Sequence, residues 1–205
     1  MEKYGKKIRP KFIYSQNPSK YFWDSSFWIN FERINDCLED EDFAPLDIAI
    51  EFSGNITVTD KVAKEIQIGY KNIDAYSDNT YKEISVFVTD DKENIKIKQT
   101  GEHSTFVIAG HYKKPVLCDD VKSLKEASRI NYGYIEVYNT VNVLVWATSQ
   151  TKFRGLLIIN KIYCLMCEKI SGFKKTWENK YPKLYQKGFI AYYIDYVFNI
   201  KYLKL

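Results

Sequence analysis

Two histidines, His103 and His111, are the only imidazoles in the chain, and Lys113 follows close behind. Two histidines and a lysine can cleave RNA, one imidazole acting as base and the other as acid. Geometry argues against that here. Thr105–Ala109 reads as a strand between them, and eight steps of ~3.3 Å place the rings roughly 26 Å apart. One phosphate cannot bridge that span, so strand-end surface histidines are the expected reading. Cys164-Leu165-Met166-Cys167 is a C-x-x-C pair. A zinc site needs four ligands, usually two such pairs, and Cys37 and Cys118 supply no second one. A redox pair sits at a helix N-terminus, where the dipole lowers the thiol pKa. This one falls in the middle of an apolar helical stripe, so buried core cysteines without a metal are expected.

The carboxylates offer a third chemistry. Asp47 lies in the alternating run LDIAIEF, and Glu65-Ile66-Gln67 opens another alternating run. An Asp and a Glu on adjacent strands can hold a divalent cation that activates water for phosphodiester cleavage. Asp47, Glu65 and Gln67 resemble the PD-(D/E)xK nuclease arrangement, in the variant where glutamine replaces the lysine. That resemblance implies Mg2+ at these residues; outside it no cofactor is expected. Pro45-Leu46-Asp47 departs from the adjacent Pro-Asp pair, and Glu136-Val137-Tyr138 after Asp120 imitates the pattern as well. Charges on the wet face of amphipathic strands are the competing explanation.

Two charged tracts point to partners instead. In FKKTWENKYPKLYQKGF, Lys174, Lys175, Lys180, Lys183 and Lys187 are placed to neutralise phosphates. Trp177, Tyr181 and Tyr185 are types that stack on unpaired bases. The acidic run Glu39, Asp40, Glu41 and Asp42, with Asp36, Asp47 and Glu51 nearby, can dock a basic protein and steer its approach. The bland alternatives are a solvated connection and a charged loop.

The elements that must position these residues follow from periodicity. Residues 1–20 are basic and polar and read as an irregular arm. Ser25 and Ser26 precede Phe27, Phe31, Ile34 and Leu38, a capped helical face that runs into Glu39–Asp42. Strands are expected at Leu46–Phe52, at Ile56–Thr59 as the return of a hairpin across Ser53-Gly54-Asn55, and at Ile66–Tyr70. Asp60 to Lys64 reads as one helical turn or a loop. Ile84–Val88, Ile95–Lys98 and Thr105–Ala109 form an up-down-up meander. Val121, Leu124, Ala127 and Ile130 trace a helix, Tyr134–Ala147 a long strand, and Leu156, Ile159, Tyr163, Met166 and Ile170 a helix apolar almost all round. Phe189–Leu205 fits a last helix or a strand.

Composition sets the outer limits. The chain has 205 residues, 45% hydrophobic and 16% aromatic, enough to bury a core. No phosphate-binding glycine loop, G-x-S-x-G elbow or H-E-x-x-H zinc motif is present. The four cysteines have no framework spacing, the basic N-terminus has no apolar signal core, and no apolar run is long enough to span a bilayer. A thiol-reduced cytoplasmic protein with no membrane partner is expected. Net charge is +4 overall, but residues 152–205 carry 11 basic and 3 acidic residues, a surplus of +8, which hints at an anionic partner.

The expectation is therefore an α+β domain over residues 21–205. A mostly antiparallel sheet has the meander 82–112 at its centre, with an N-terminal helix and a C-terminal helical segment packed on it. The first functional expectation is a non-catalytic protein-binding protein, such as an immunity or inhibitor protein of a bacterial or phage conflict system, docking through Glu39–Asp42. A metal-dependent nuclease and a nucleic-acid-binding module are the alternatives.

Overall fold

The computed structural model describes residues 8–35, 45–70, 80–89, 100–120, 135–150 and 156–169. It divides into two compact units, Met1–Thr140 and Val141–Leu205. The strands are β1 (Ile8–Ser15), β2 (Phe22–Trp23), β3 (Thr57–Thr59), β4 (Thr80–Phe87), β5 (Val116–Leu117) and β6 (Val137–Tyr138). The described helices are α1 (Ser25–Asn35), α2 (Pro45–Ser53), α3 (Asp60–Tyr70), α4 (Gly101–Tyr112), α5 (Thr140–Thr148) and α6 (Leu156–Lys169).

The strands form two small sheets, β1-β4-β3 and β2-β5-β6, and every pairing is parallel. The expected antiparallel sheet with a central meander is therefore overturned: among the described residues there is no antiparallel pair. Strand β3 of the first sheet lies beside β2 of the second. After β2 the chain builds β3 and β4 in the first sheet, then returns to the second sheet for β5 and β6. Parallel neighbours require crossovers, and α3 lies in the one from β3 to β4.

Four segments expected as strands are helical, wholly or in part. Leu46–Phe52 lies in α2, where Pro45, Leu46, Ile48, Ala49 and Ser53 are buried at helical spacing. Proline at the first helical position is itself a helix signal, because its missing N–H has no intrahelical partner to lose. Ile66–Tyr70 is the second half of α3. Thr105–Ala109 is the middle of α4, whose residues Gly101 and His103–Gly110 are all buried. A helix covered on every side shows no polar face, so a short apolar run inside it looks like a buried strand. Thr100 caps it by accepting from the His103 amide, and Lys113 closes it at φ 52°. Tyr134–Ala147, read as one long strand, contains the two-residue β6 and most of α5.

Ile8–Ser15, expected within an irregular arm, is an edge strand paired along its length with β4. The hairpin across Gly54 is absent, since Thr57–Thr59 pairs parallel with Ser85–Phe87. In the first unit Phe22, Phe87, Phe106, Ile108, Ala109 and Val116 form one apolar cluster, with Phe22 and Phe87 edge to face at 5.7 Å. In the second unit α6 is not apolar all round: Ile159, Ile162, Tyr163 and Met166 are buried, whereas Lys161 and Glu168 are exposed. Among the described residues no helix is long and apolar enough to cross a membrane. Ile95–Lys98, the expected helix from Val121 to Ile130 and Phe189–Leu205 lie outside the described residues.

Candidate functional site

Two short apolar runs end on carboxylates. Phe22 and Trp23 are fully buried in β2, and the next residue is Asp24. Val116 and Leu117 are buried in β5, and Cys118, Asp119 and Asp120 follow. The strands hydrogen-bond as neighbours, with the Phe22 amide donating to the Pro115 carbonyl at 3.0 Å and the Asp24 amide to the Leu117 carbonyl at 2.9 Å. The carboxylates thus emerge side by side at the C-terminal ends of adjacent parallel strands. Strand β3 of the other sheet lies near β2, while β5 is its hydrogen-bonded neighbour. In open parallel sheets, ligands bind beyond the C-terminal strand ends.

Asp24 also starts α1. Its carbonyl accepts from the Phe27 and Trp28 amides at 3.2 and 3.3 Å, and its Oδ2 accepts from the Ser26 amide at 3.3 Å and the Ser26 hydroxyl at 2.6 Å. Ser26 Oγ accepts in turn from the Asp119 amide at 3.2 Å, tying the two strand ends together. Asp119 is fully engaged. Its Oδ1 accepts from the Thr140 amide at 2.8 Å, and its Oδ2 accepts from Asn30 Nδ2 at 2.8 Å and from the Thr140 hydroxyl. Cys118 Sγ lies 3.5 Å from Asp24 Oδ2.

One oxygen stands apart. Asp24 is 1% exposed, and its Oδ1 is buried without a hydrogen-bond partner. A buried polar atom of this kind is costly, and more so when charged. Burial pushes the Asp24 carboxyl up from its ordinary range, and the Glu65 charge pushes it further, against the hydrogen bonds from Ser26 and Cys118. Burial likewise raises Asp119, with Asp24 adding to it, against the hydrogen bonds from Thr140 and Asn30. Burial, then Asp24, pushes the Cys118 thiol well above its usual value. Asp24 thus feels the Glu65 charge, and Asp119 feels that of Asp24, each as a smaller effect than burial.

Glu65 comes from α3. Its side chain is exposed, and its Oε1 accepts from the Gly101 amide at 2.8 Å at the start of α4. A Cβ on residue 101 would meet Glu65 Oε2 at 2.5 Å, so glycine there makes room for the carboxylate. Among the described residues no three His, Cys, Asp or Glu side chains close into a ready metal cage.

The residues singled out in the sequence are placed as follows. Asp47 and Glu65 stand on helices, not on adjacent strands, and Asp47 is paired with Lys82. Gln67, two positions beyond Glu65 on α3, is about 200° round the helix from it. Of the three, Glu65 alone acts on Asp24, as the smallest of the influences on that carboxyl. His103 and His111 are separated by about 12 Å of helix rise and not by a strand. His103 is buried and His111 is exposed against Tyr112. Cys164 is exposed and Cys167 half-buried, against the expectation of core cysteines. Glu39, Asp40, Glu41 and Asp42, and Lys174, Lys175, Trp177, Lys180, Tyr181, Lys183 and Tyr185, lie outside the described residues.

Sequence reasoning missed Asp24, Ser26, Cys118 and Asp119 as a group. The signal was local: Tyr-Phe-Trp-Asp and Val-Leu-Cys-Asp-Asp are both apolar runs that stop on a carboxylate. Compared with family models, with curated proteins and with solved structures, the chain matches none of them.

Proposed function

We propose that this protein is a divalent-metal-dependent hydrolase of phosphodiesters, a nuclease, with its centre at Asp24, Asp119 and Glu65. The observation that carries the reading is the Asp24 carboxyl: nearly inaccessible, one oxygen unpartnered, and raised in pKa by burial, with a small addition from the Glu65 charge. A fold that holds this arrangement at the ends of two parallel strands pays in stability for something, and a bound cation would relieve both the desolvation and the repulsion.

Mg2+ keeps several waters and takes one or two carboxylates, the remaining positions going to water and substrate phosphate. Asp24 would be the direct ligand through its free oxygen. Asp119, held by Thr140 and Asn30, would keep the field negative, and Glu65 would act from the exposed side. A divalent cation in this setting lowers the pKa of a bound water and neutralises charge on a phosphoryl oxygen. Phosphodiesters are favoured as substrate by the +8 surplus over residues 152–205, which suits a polyanion.

The non-catalytic protein-binding reading draws on Glu39–Asp42, and nothing in the described surface adds to it. The deciding experiment is cleavage of labelled single-stranded and duplex RNA and DNA with Mg2+ or Mn2+, against EDTA and against Asp24→Asn. Cation-dependent cleavage that falls at least about 100-fold in the variant supports the reading. Absence of cleavage in every substrate, with no thermal stabilisation by either cation, sinks it.

A further inference from the structure

A chain of hydroxyls joins the start of α3 to the start of α4. Thr59 ends β3, and its Oγ1 accepts from the Val62 amide at 3.3 Å. Thr59 Oγ1 and Ser104 Oγ lie 2.7 Å apart, and both residues are fully buried. The Ser104 hydroxyl donates to the Gly101 carbonyl at 2.7 Å, and the Gly101 amide donates to Glu65 Oε1 at 2.8 Å. A hydroxyl has one proton to give. Ser104 gives its own to Gly101, so Thr59 is the donor in the pair. The hydrogen bonds therefore run one way, from Val62 through Thr59, Ser104 and the Gly101 backbone to Glu65. Val62 and Glu65 both stand on α3, which closes the ring.

We propose that Thr59 and Ser104 are positioning residues for the Glu65 carboxylate. This rests on the reading of Glu65 as part of the hydrolase centre and names what keeps it in place. Glu65 is exposed, and a long side chain in water samples many rotamers unless something holds it. The Gly101 amide is that hold, at the first turn of α4, where the helix dipole also favours a carboxylate. Ser104 grips the backbone around it twice. Its hydroxyl takes the Gly101 carbonyl, and its amide donates at 3.1 Å to the Thr100 carbonyl, the far end of the peptide whose N–H reaches Glu65. Thr59 fixes the Ser104 hydroxyl in turn. Partners that orient a metal-binding side chain from behind typically matter by about tenfold or more in metal affinity.

The test is Mg2+ affinity by calorimetry in Thr59→Val, which keeps the shape and removes the hydroxyl, and in Thr59→Ser, which keeps the hydroxyl. Affinity should fall about tenfold in the first and stay within about twofold of the parent in the second. In protein already carrying Glu65→Gln, Thr59→Val should change affinity by less than about twofold, because the carboxylate it positions is gone. Ser104→Ala should repeat the loss and its disappearance. Circular dichroism identifies a variant that has not folded, and the other position then decides. In amide NMR of the metal-free protein, the Gly101 proton should move upfield in Thr59→Val and Ser104→Ala, as in Glu65→Gln. Unchanged affinity, an unmoved Gly101 proton, or a loss equally large without the Glu65 carboxylate overturns the positioning role. Cation-dependent cleavage by the parent then leaves the hydrolase reading standing alone. A parent that neither binds Mg2+ nor cleaves overturns both.

Discussion

Glu65 accepts the Gly101 amide at 2.8 Å and occupies the space that any side chain at residue 101 would need. Two helices thereby meet at one carboxylate. Gly101→Ala forces Glu65 to move, and Glu65 is an exposed, flexible side chain able to yield. The expected result is a stability change within about 1 kcal/mol by urea unfolding. Mg2+ affinity by calorimetry should fall by roughly tenfold, equivalent to about 1.4 kcal/mol. Unchanged affinity would remove Glu65 from the centre.

Asp24→Asn should stabilise the protein while disabling it. The Asp24 pKa is raised in the folded state, so the folded chain holds that proton more tightly than the unfolded chain. Its contribution is full below the ordinary carboxylate pKa and is lost as pH rises through the folded value. Asparagine keeps the cap on α1 and carries no charge. At neutral pH without metal, the variant should gain on the order of 1 kcal/mol, or about 2–4 °C in Tm. The gain should disappear toward about pH 4, near the ordinary carboxylate pKa. Thermal melts across that range check the sign.

Asp119→Ala should do the reverse. It leaves the Thr140 amide and the Asn30 amide nitrogen without their acceptor. A loss of about 1–3 kcal/mol is expected from the unpaired donors. Chemical denaturation of the metal-free protein measures it.

Asp47→Ala separates the two nuclease geometries. Asp47 is paired with Lys82, but the two side chains are 45% and 29% exposed, so solvent screens the pair. Its removal should cost less than about 1 kcal/mol. Cation-dependent cleavage should stay within about twofold of the parent, whereas a large loss would return Asp47 to the centre.

Phe106→Ala tests the buried helix. Phe106 is fully buried in α4 and belongs to the apolar cluster with Phe22 and Phe87. Truncation should cost about 3–5 kcal/mol, and the urea midpoint reads it directly.

The local sequence determines what local forces decide. Phe27, Phe31 and Ile34 recur at helical spacing behind a polar cap, and they form the buried face of α1. Ile159, Tyr163 and Met166 do the same for α6. Ile84 and Val86 alternate, and β4 follows from them. Short apolar runs are a different matter. LDIAIEF and TFVIA satisfy a period of two and a period of 3.6 almost equally well, and burial on all sides of α4 erases the polar face that separates them.

Only the tertiary structure decided the parallel pairing, since β2, β5 and β6 are two residues each and carry no pattern of their own. The centre depended on it in turn. Asp24 and Cys118 are 94 residues apart in the chain, and their contact exists because two short strands end side by side. Residue type made each a candidate for chemistry; proximity, burial and the missing partner at Asp24 Oδ1 came from the packing of elements distant in sequence.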